Sequence, residues 1–565
     1  MRTRGETGER LIRAAGSPRG NRRGLTLLAL CLAALIINID VTIVNVALPS
    51  LVRELGATTT QLQWVVDAYT LVFASLILAA GSLSDRLGRK GVLLAGLAVF
   101  GVGSLAGSFA QTPGELIAAR AFMGIGAAGI FPSTLSLIAN VFTERKERAR
   151  AIGLWGAMTG AGVATGPIIG GWLLGHFWWG SVFVFMVPVA FVVAALIAAA
   201  VPTSRDPSTP PIDWRGLLLS TAGMGALVFG IIEAPNWGWL APPTLAAIVG
   251  GVAILGIFVV VERRLPRPML DVELFRNLRF TAASGSITIG FFALTGFTFL
   301  VTQYFQFVRG YTPLQTGIRI LPVAISIAVA AVIGTRLAVM IGNKAVVASG
   351  LTSFAAALLW IAAFMPHGQS TSYLIIAATM VLGGGGLGLL SAPATEAIMG
   401  VVSKEKAGVG SAINDVTRLF GATLGVAVIG SIAASLYGNR LGATMPHQLP
   451  PQAALAAKGS VGGALTAARV LGHVGLGPVG QHLAQSAIGA FLHSMSGAVL
   501  VAGIVAFGGA VLAAALLPSR PAQVGASAND GSYHRTTDIA SLKPIPEDAW
   551  REAIEPIDPI ELDTA

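Results

Sequence analysis

Residues 25–48 read LTLLALCLAALIINIDVTIVNVAL, an apolar run whose one charged side chain is Asp40. About 20 apolar residues cross a bilayer as a helix, and a signal-peptide core is only about 7–15 residues long. No A-x-A cleavage site follows, and the run carries Asn38, Asp40 and Asn45. It reads as a retained transmembrane helix, and the rest of the chain repeats it. The same length criterion predicts fourteen spans, at 25–48, 61–83, 91–110, 114–141, 149–174, 180–201, 213–234, 243–262, 280–305, 315–340, 345–365, 372–401, 408–437 and 486–516. A count of twelve would require dissolving 213–234 and 243–262, yet each is long and apolar.

Composition agrees with the spans. The 565 residues are 54% hydrophobic and 11% charged, with a mean hydropathy of +0.74. A soluble chain carries about 25% charged residues, so a soluble enzyme is excluded. The net charge of +10 gets its meaning from position. Of the 37 Lys and Arg, 29 fall on the N-terminal side of the predicted helices. Five fall opposite (Arg53, Arg309, Arg440, Lys458, Arg469) and three lie within helices. Lys and Arg gather in cytoplasmic loops, so both termini are expected in the cytoplasm and no nucleic-acid face is implied. Trp64, Trp178, Trp179, Trp237 and Trp239 fall at the predicted outer interface, as an aromatic belt would. The single cysteine, Cys31, permits no disulfide within the chain.

These spans divide the chain into a basic cytoplasmic tail (1–24), a six-helix bundle (25–201), an inserted helix pair (213–262) and a second six-helix bundle (280–516). The second bundle carries an external loop, 438–485, to which the sequence assigns no fold. Residues 518–565 hold nine acids and several prolines and read as a disordered cytoplasmic tail. An internal echo supports two halves: Leu83, Gly88, Lys90, Gly96 and Leu97 recur at constant spacing as Leu337, Gly342, Lys344, Gly350 and Leu351. Internal repeats of this kind are common in secondary transporters, whose sites lie between the halves.

Charges within a bilayer cost about 2.5–3.5 kcal/mol each by insertion scales, and they usually serve function, pairing or both. The intramembrane candidates are Asp40, Asp67, Arg120, Glu233, Arg319, Glu396, Asp415 and Arg418. By helix rise, Asp40, Asp67 and Arg120 share one layer toward the outer side. Glu396, Asp415 and Arg418 share another near the cytoplasmic ends, and Glu233 and Arg319 sit near the outer surface. Asp40 and Arg120 read either as an ion pair locking two helices or as a titrating carboxylate whose proton affinity Arg120 tunes; the two readings are compatible. On a helical wheel Asn38, Thr42 and Asn45 share a face and Asp40 lies opposite. Gln63, Asp67, Thr70, Ala74 and Gly81 form one stripe that faces the bundle interior. The segment Gly81 to Lys90 combines turn glycines (Gly81, Gly88) with Asp85, Arg86, Arg89 and Lys90, and Asp85 is placed to cap or pair with a neighbouring helix end. In the fifth span Gly162, Gly166, Gly170 and Gly171 permit close helix packing and Pro167 breaks a backbone hydrogen bond. No phosphate-binding loop, HExxH motif or metal-ligand spacing is present in the sequence.

With these residues in hand, the chain resembles the fourteen-helix drug:proton antiporters of the major facilitator superfamily, the QacA/EmrB type. Asp40-x-Thr42-x-x-Asn45-x-Ala47-x-Pro49 is similar to the family's first-helix motif and Trp64-Val-Val-Asp67-x-Tyr69 to its second. Gly81 to Lys90 resembles the superfamily loop motif and Arg120 with Gly124 the fourth-helix motif. Gly162 to Gly171 resembles the antiporter motif, and Asn414-Asp415-x-x-Arg418 with Gly421 and Gly425 the thirteenth helix. One departure is Met186, where the family usually has Asn. The resemblance implies an all-α major facilitator fold of two six-helix bundles plus an inserted pair, multi-pass in the cytoplasmic membrane. It implies a transporter, not an enzyme, that uses the proton gradient without a cofactor to export hydrophobic, often cationic small molecules; the sequence leaves the oligomeric state open, with a monomer favoured. Its partners would be substrate, protons and the lipid bilayer, and no nucleic acid. Asp40, Asp67 and Arg120 would carry coupling or cation attraction, together with Asn45 and Glu233. Gly81, Asp85, Arg86, Gly88, Arg89 and Lys90 would act at a cytoplasmic gate, with Glu396, Asp415 and Arg418 as inner-gate or second-site residues. The rival readings are a lipid or lipid-like metabolite transporter on the same scaffold and a membrane sensor or enzyme.

Overall fold

The computed structural model describes residues 18–205, 213–266, 268–402 and 407–517. Most of the basic tail and all of 518–565 lie outside the described residues. Among the described residues, fourteen helices are long and apolar enough to cross a membrane. They are α1 (Pro18–Leu55), α2 (Thr59–Leu87), α3 (Arg89–Ser108), α4 (Pro113–Val141), α5 (Arg145–His176), α6 (Ser181–Ala200), α7 (Trp214–Trp237), α8 (Pro242–Arg264), α9 (Leu278–Gln303, continued by a π-helical turn Tyr304–Val308), α10 (Pro313–Ile341), α11 (Asn343–Phe364), α12 (Tyr373–Met399), α13 (Ala407–Thr444) and, after two short helices, α16 (Gly477–Leu516). All fourteen expected spans are present.

The molecule has a basic end, marked by the α2–α3 turn, and a tryptophan end, marked by Trp64 and Trp237. Both turns of the internal echo use glycine where an L-residue would be strained: Gly88 has φ +121° and Gly342 φ +88°. The repeat extends well beyond the echo. Thr58 closes a capping box with Gln61 at the start of α2, and Thr312 does so with Gln315 at the start of α10. A Cβ on Gly96 would stand 2.8 Å from the Gly126 carbonyl, so α3 and α4 touch backbone to backbone. Gly350 and Gly386 bring α11 and α12 together in the same way. Gly162 and Gly166 seat α5 on the Leu35 and Ile39 carbonyls of α1, and Gly421 and Gly425 seat α13 on the Thr288 and Phe292 carbonyls of α9. Small residues permit such approaches between membrane helices.

The loop beyond α13 is helical. α13 and α16 overrun their expected limits at this end, and α14 (Pro451–Gly459) and α15 (Val461–His473) stand between them. They are packed down. Tyr437 donates to the Ala457 carbonyl (2.9 Å), Thr59 to the Gly459 carbonyl (3.2 Å), and Gly462 lies against Phe307 and Val52. This loop therefore touches both halves at the tryptophan end. Of the expected belt, Trp178, Trp237 and Trp239 are exposed, whereas Trp179 is buried against Phe183.

Candidate functional site

α1 turns its two polar faces in different directions. Asn38, Thr42 and Asn45 are half-buried on the side where Gly162 and Gly166 of α5 approach, and each bonds back to its own helix. Asp40 points the other way and is 0% exposed. Arg120 of α4 reaches it with Nη1 donating to Oδ2 at 2.7 Å, while Nε donates to the Val65 carbonyl of α2 at 3.1 Å. The guanidinium lies over the Tyr69 ring, 4.2 Å from its centroid, with Phe183 of α6 beyond. Four helices thus converge on one cation. Oδ1 of Asp40 and the Tyr69 hydroxyl are buried neighbours. A buried ion pair of this kind adds little net stability, and removing one partner leaves the other as an uncompensated charge.

Asp67 shares the layer but not the pair. It is fully buried, and neither carboxyl oxygen has a hydrogen-bond partner. Its stripe faces α13 of the other half. Gln63 donates to the Val426 and Ala427 carbonyls and to Ser431, and Thr423 to Thr70 (3.1 Å). The stripe predicted to face the interior therefore forms the seam between halves.

The remaining candidates are scattered. Glu233 accepts from Trp64 (3.1 Å) and Asn236 (2.9 Å) near the tryptophan end. Arg319 is stacked against Tyr311 and Tyr373, their centroids 4.1 and 5.4 Å away. At the basic end Arg418 donates to Thr395 (3.2 Å) and lies over Phe291, and Thr395 donates to Asn414 (3.2 Å). Asp415 is half-buried one turn from Arg418, and Glu396 is exposed. In the α2–α3 turn Arg89 clasps Asp85 at 2.6 Å and donates to Ser204, while Lys90 donates to the Ala198 carbonyl; Arg86 is exposed. Tyr69, part of the second-helix motif, joins the site together with residues not singled out in the sequence: Phe183, Thr395, Phe291 and Gln306. No sequence signal marks them, because ordinary aromatics and threonines gain a role here only through which charge they meet.

The halves meet at the tryptophan end and part toward the basic end. Gln306 donates to the Val46 carbonyl (2.9 Å) and Arg53 to Gln306 (3.4 Å). Gly171 of α5 meets Pro313 and Leu314, and Gly317 of α10 meets Pro167. Further along α5, Gly160, Gly156 and Gly153 have open space where a Cβ would stand.

The family model of the Major Facilitator Superfamily matches residues 30–426. Among curated proteins, the chain is 36% identical to the multidrug resistance protein Stp of Mycobacterium tuberculosis, over 75% of this chain and 79% of that protein. It is 35% identical to the multidrug efflux pump LfrA of Mycolicibacterium smegmatis (79% and 88% covered) and 33% identical to the methyl viologen resistance protein SmvA of Salmonella typhimurium (85% and 96%). Among solved structures, a bacterial homologue of the human lysosomal transporter Spinster, inward-facing and unoccupied, superimposes with a TM-score of 0.61 at 18% identity, over 89% of this chain and 99% of that one. A peptide transporter of the POT type gives 0.58 at 14% identity (87% and 95%).

Proposed function

Because the chain belongs to the major facilitator superfamily, we propose that it is a proton-coupled antiporter exporting hydrophobic, often cationic small molecules across the cytoplasmic membrane. It works without a cofactor, and it is a transporter rather than an enzyme. Relatives named for multidrug efflux and for methyl viologen resistance support the substrate class. The observation that carries the coupling is the Asp40–Arg120 pair, 2.7 Å long and 0% and 1% exposed. A proton reaching Asp40 cancels the attraction that holds Arg120, so protonation and the packing of α1, α2, α4 and α6 change together. A proton moving inward yields about 2.3 kcal/mol per 100 mV, and the pH gradient adds to it.

The charge count of 29 against 5 supports a cytoplasmic basic end, which makes the described conformation inward-facing. Asp67 is the second candidate carrier or a cation-attracting group, with Asn45 and Glu233 along the route. Gly81, Asp85, Arg86, Gly88, Arg89 and Lys90 form the cytoplasmic gate. Glu396, Asp415 and Arg418 line its other side. Gly162, Gly166, Pro167, Gly170 and Gly171 are the pivot on which α5 moves over α1 and α10.

One experiment tests this reading. Purified protein in vesicles is loaded with a lipophilic cationic dye, and a pH gradient is imposed. Dye should move against its gradient only while the pH gradient lasts, and a protonophore should abolish the movement. Dye movement indifferent to the protonophore contradicts the reading. Export of a lipid in place of dyes under the same gradient would favour the second reading, which the open α5–α10 seam supports.

A further inference from the structure

Besides the Gln306 contacts and the α14–α15 loop, two helix–helix seams lie between the halves, and they are built differently. At the α2–α13 seam the closing groups are polar: Gln63, Thr70 and Thr423, with Asp67 beside them. Gln63 Oε1 and both Asp67 oxygens are buried without a partner. At the α5–α10 seam the closing groups are Gly171, Leu314, Pro167 and Gly317. Lipid chains can lie against the second seam at little cost. Against the first they would leave polar groups in hydrocarbon, at several kcal/mol for each unsatisfied group.

The inserted pair lies over the polar seam. Met224, Val228, Ile231 and Ile232 of α7 pack on Leu71 and Ala74 of α2 and, across the gap, on Ala427 of α13. At the tryptophan end the pair is fastened to both halves. Trp64 of α2 donates to Glu233, Asn236 to Thr60 of α2 (3.4 Å), and Trp239 to Ser435 of α13 (2.9 Å). α8 backs α7 through Gly223, Gly230 and Gly251 and turns Val249, Val252 and Val260 outward, exposed. An all-apolar outer face with a polar-fastened inner partner is what a shield between bilayer and protein requires.

We propose that α7–α8 is a lateral seal. It keeps acyl chains out of the polar α2–α13 seam and leaves α5–α10 as the membrane-facing way into the interior. For the exporter read above, on which the substrate route rests, amphiphilic cations would then enter from the bilayer between α5 and α10. Ile152 and Leu154 of α5 and Ile325 and Val329 of α10 are exposed apolar side chains on these two helices.

The test uses the full chain in phosphatidylcholine vesicles that contain a lipid with a photoactivatable diazirine in its acyl chain, with adducts mapped by mass spectrometry. Expected in the unmodified protein are adducts on α8, on α5 around 152–160 and on α10 around 325–333, and only background on α2 around 63–74 and α13 around 419–428. A combined Met224→Ala, Val228→Ala, Glu233→Ala variant should raise the α2 and α13 adducts toward the level on α8. Adducts in the unmodified protein that are as dense on α2 and α13 as on α5 and α10 overturn the seal, whatever the variant does. The mapping needs no transport, so a failed dye-export assay beside the expected adduct pattern would sink the exporter reading and leave the seal standing.

Discussion

The two six-helix halves share a frame and differ in chemistry. Capping boxes at Thr58 and Thr312, turn glycines 88 and 342, and backbone contacts at Gly96 and Gly350 recur at one spacing. In the matching registers of the second half, Asp40 is replaced by Ala293, Arg120 by Met380 and Asp67 by Leu321. Those positions are apolar, and Ala293 and Met380 are buried. The comparison separates what a helix bundle needs in order to fold from what this protein adds to work. Close backbone approach and tight turns are needed twice; the buried Asp40–Arg120 pair is present once. On this account the first half carries coupling, and the second half is the surface against which it moves.

The sharpest way to break the comparison is to make the first half resemble the second. Asp40→Ala leaves Arg120 as an uncompensated buried charge and should cost about 3–5 kcal/mol of stability, read as a lowered unfolding midpoint in detergent. Arg120→Met should cost less, because a lone carboxyl can take up a proton and become neutral, while still abolishing gradient-driven export. Equal destabilisation by the two changes would mean that the pair is ordinary packing.

The frame itself should respond symmetrically. Gly126→Ala puts a methyl 2.6 Å from the Gly96 carbonyl, and Gly350→Ala puts one 2.6 Å from the Gly386 carbonyl. Overpacking of this kind costs about 1–3 kcal/mol. Similar losses in the two halves, measured as folded yield and melting temperature, sharpen the comparison, and a loss confined to one half breaks it.

Asp85 has Val339 as its counterpart in the second half. Asp85→Asn removes the charge from the 2.6 Å contact with Arg89 and should slow export several-fold with normal membrane insertion. Val339→Asn, at an exposed position, should leave export unchanged. Unchanged export by Asp85→Asn in vesicles would return this turn to a topological role. The smallest effect is expected at the caps: Thr58→Ala and Thr312→Ala should each cost about 1 kcal/mol and lower the melting temperature alike.

Much of this was legible in the sequence. Helix number followed from apolar length, and the opposed faces of Asn38 and Asp40 followed from helical period. The common layer of Asp40 and Arg120 followed from rise per residue. Three features were not legible, for physical reasons. A wheel places Asp67 on a stripe but cannot say that its neighbours offer it no donor. The loop 438–485 contains short helices that only tertiary packing stabilises, so its composition carries no fold signal. Arg319 stands out by position, but its stacking on Tyr311 and Tyr373, distant in sequence from one another, shows only in the fold.

The central claim is that the proton acts through Asp40. Vesicles holding the unmodified protein, the Asp40→Asn variant or the Asp40→Asn/Arg120→Gln double variant are given the same pH gradient, and accumulation of a lipophilic cationic dye against its own gradient is recorded. The double variant removes both charges and so separates loss of coupling from an unpaired Arg120. The account predicts accumulation by the unmodified protein and none by either variant, with both variants inserted in the membrane. Accumulation by the Asp40→Asn variant at the unmodified rate would contradict it and leave Asp40 as a structural partner of Arg120.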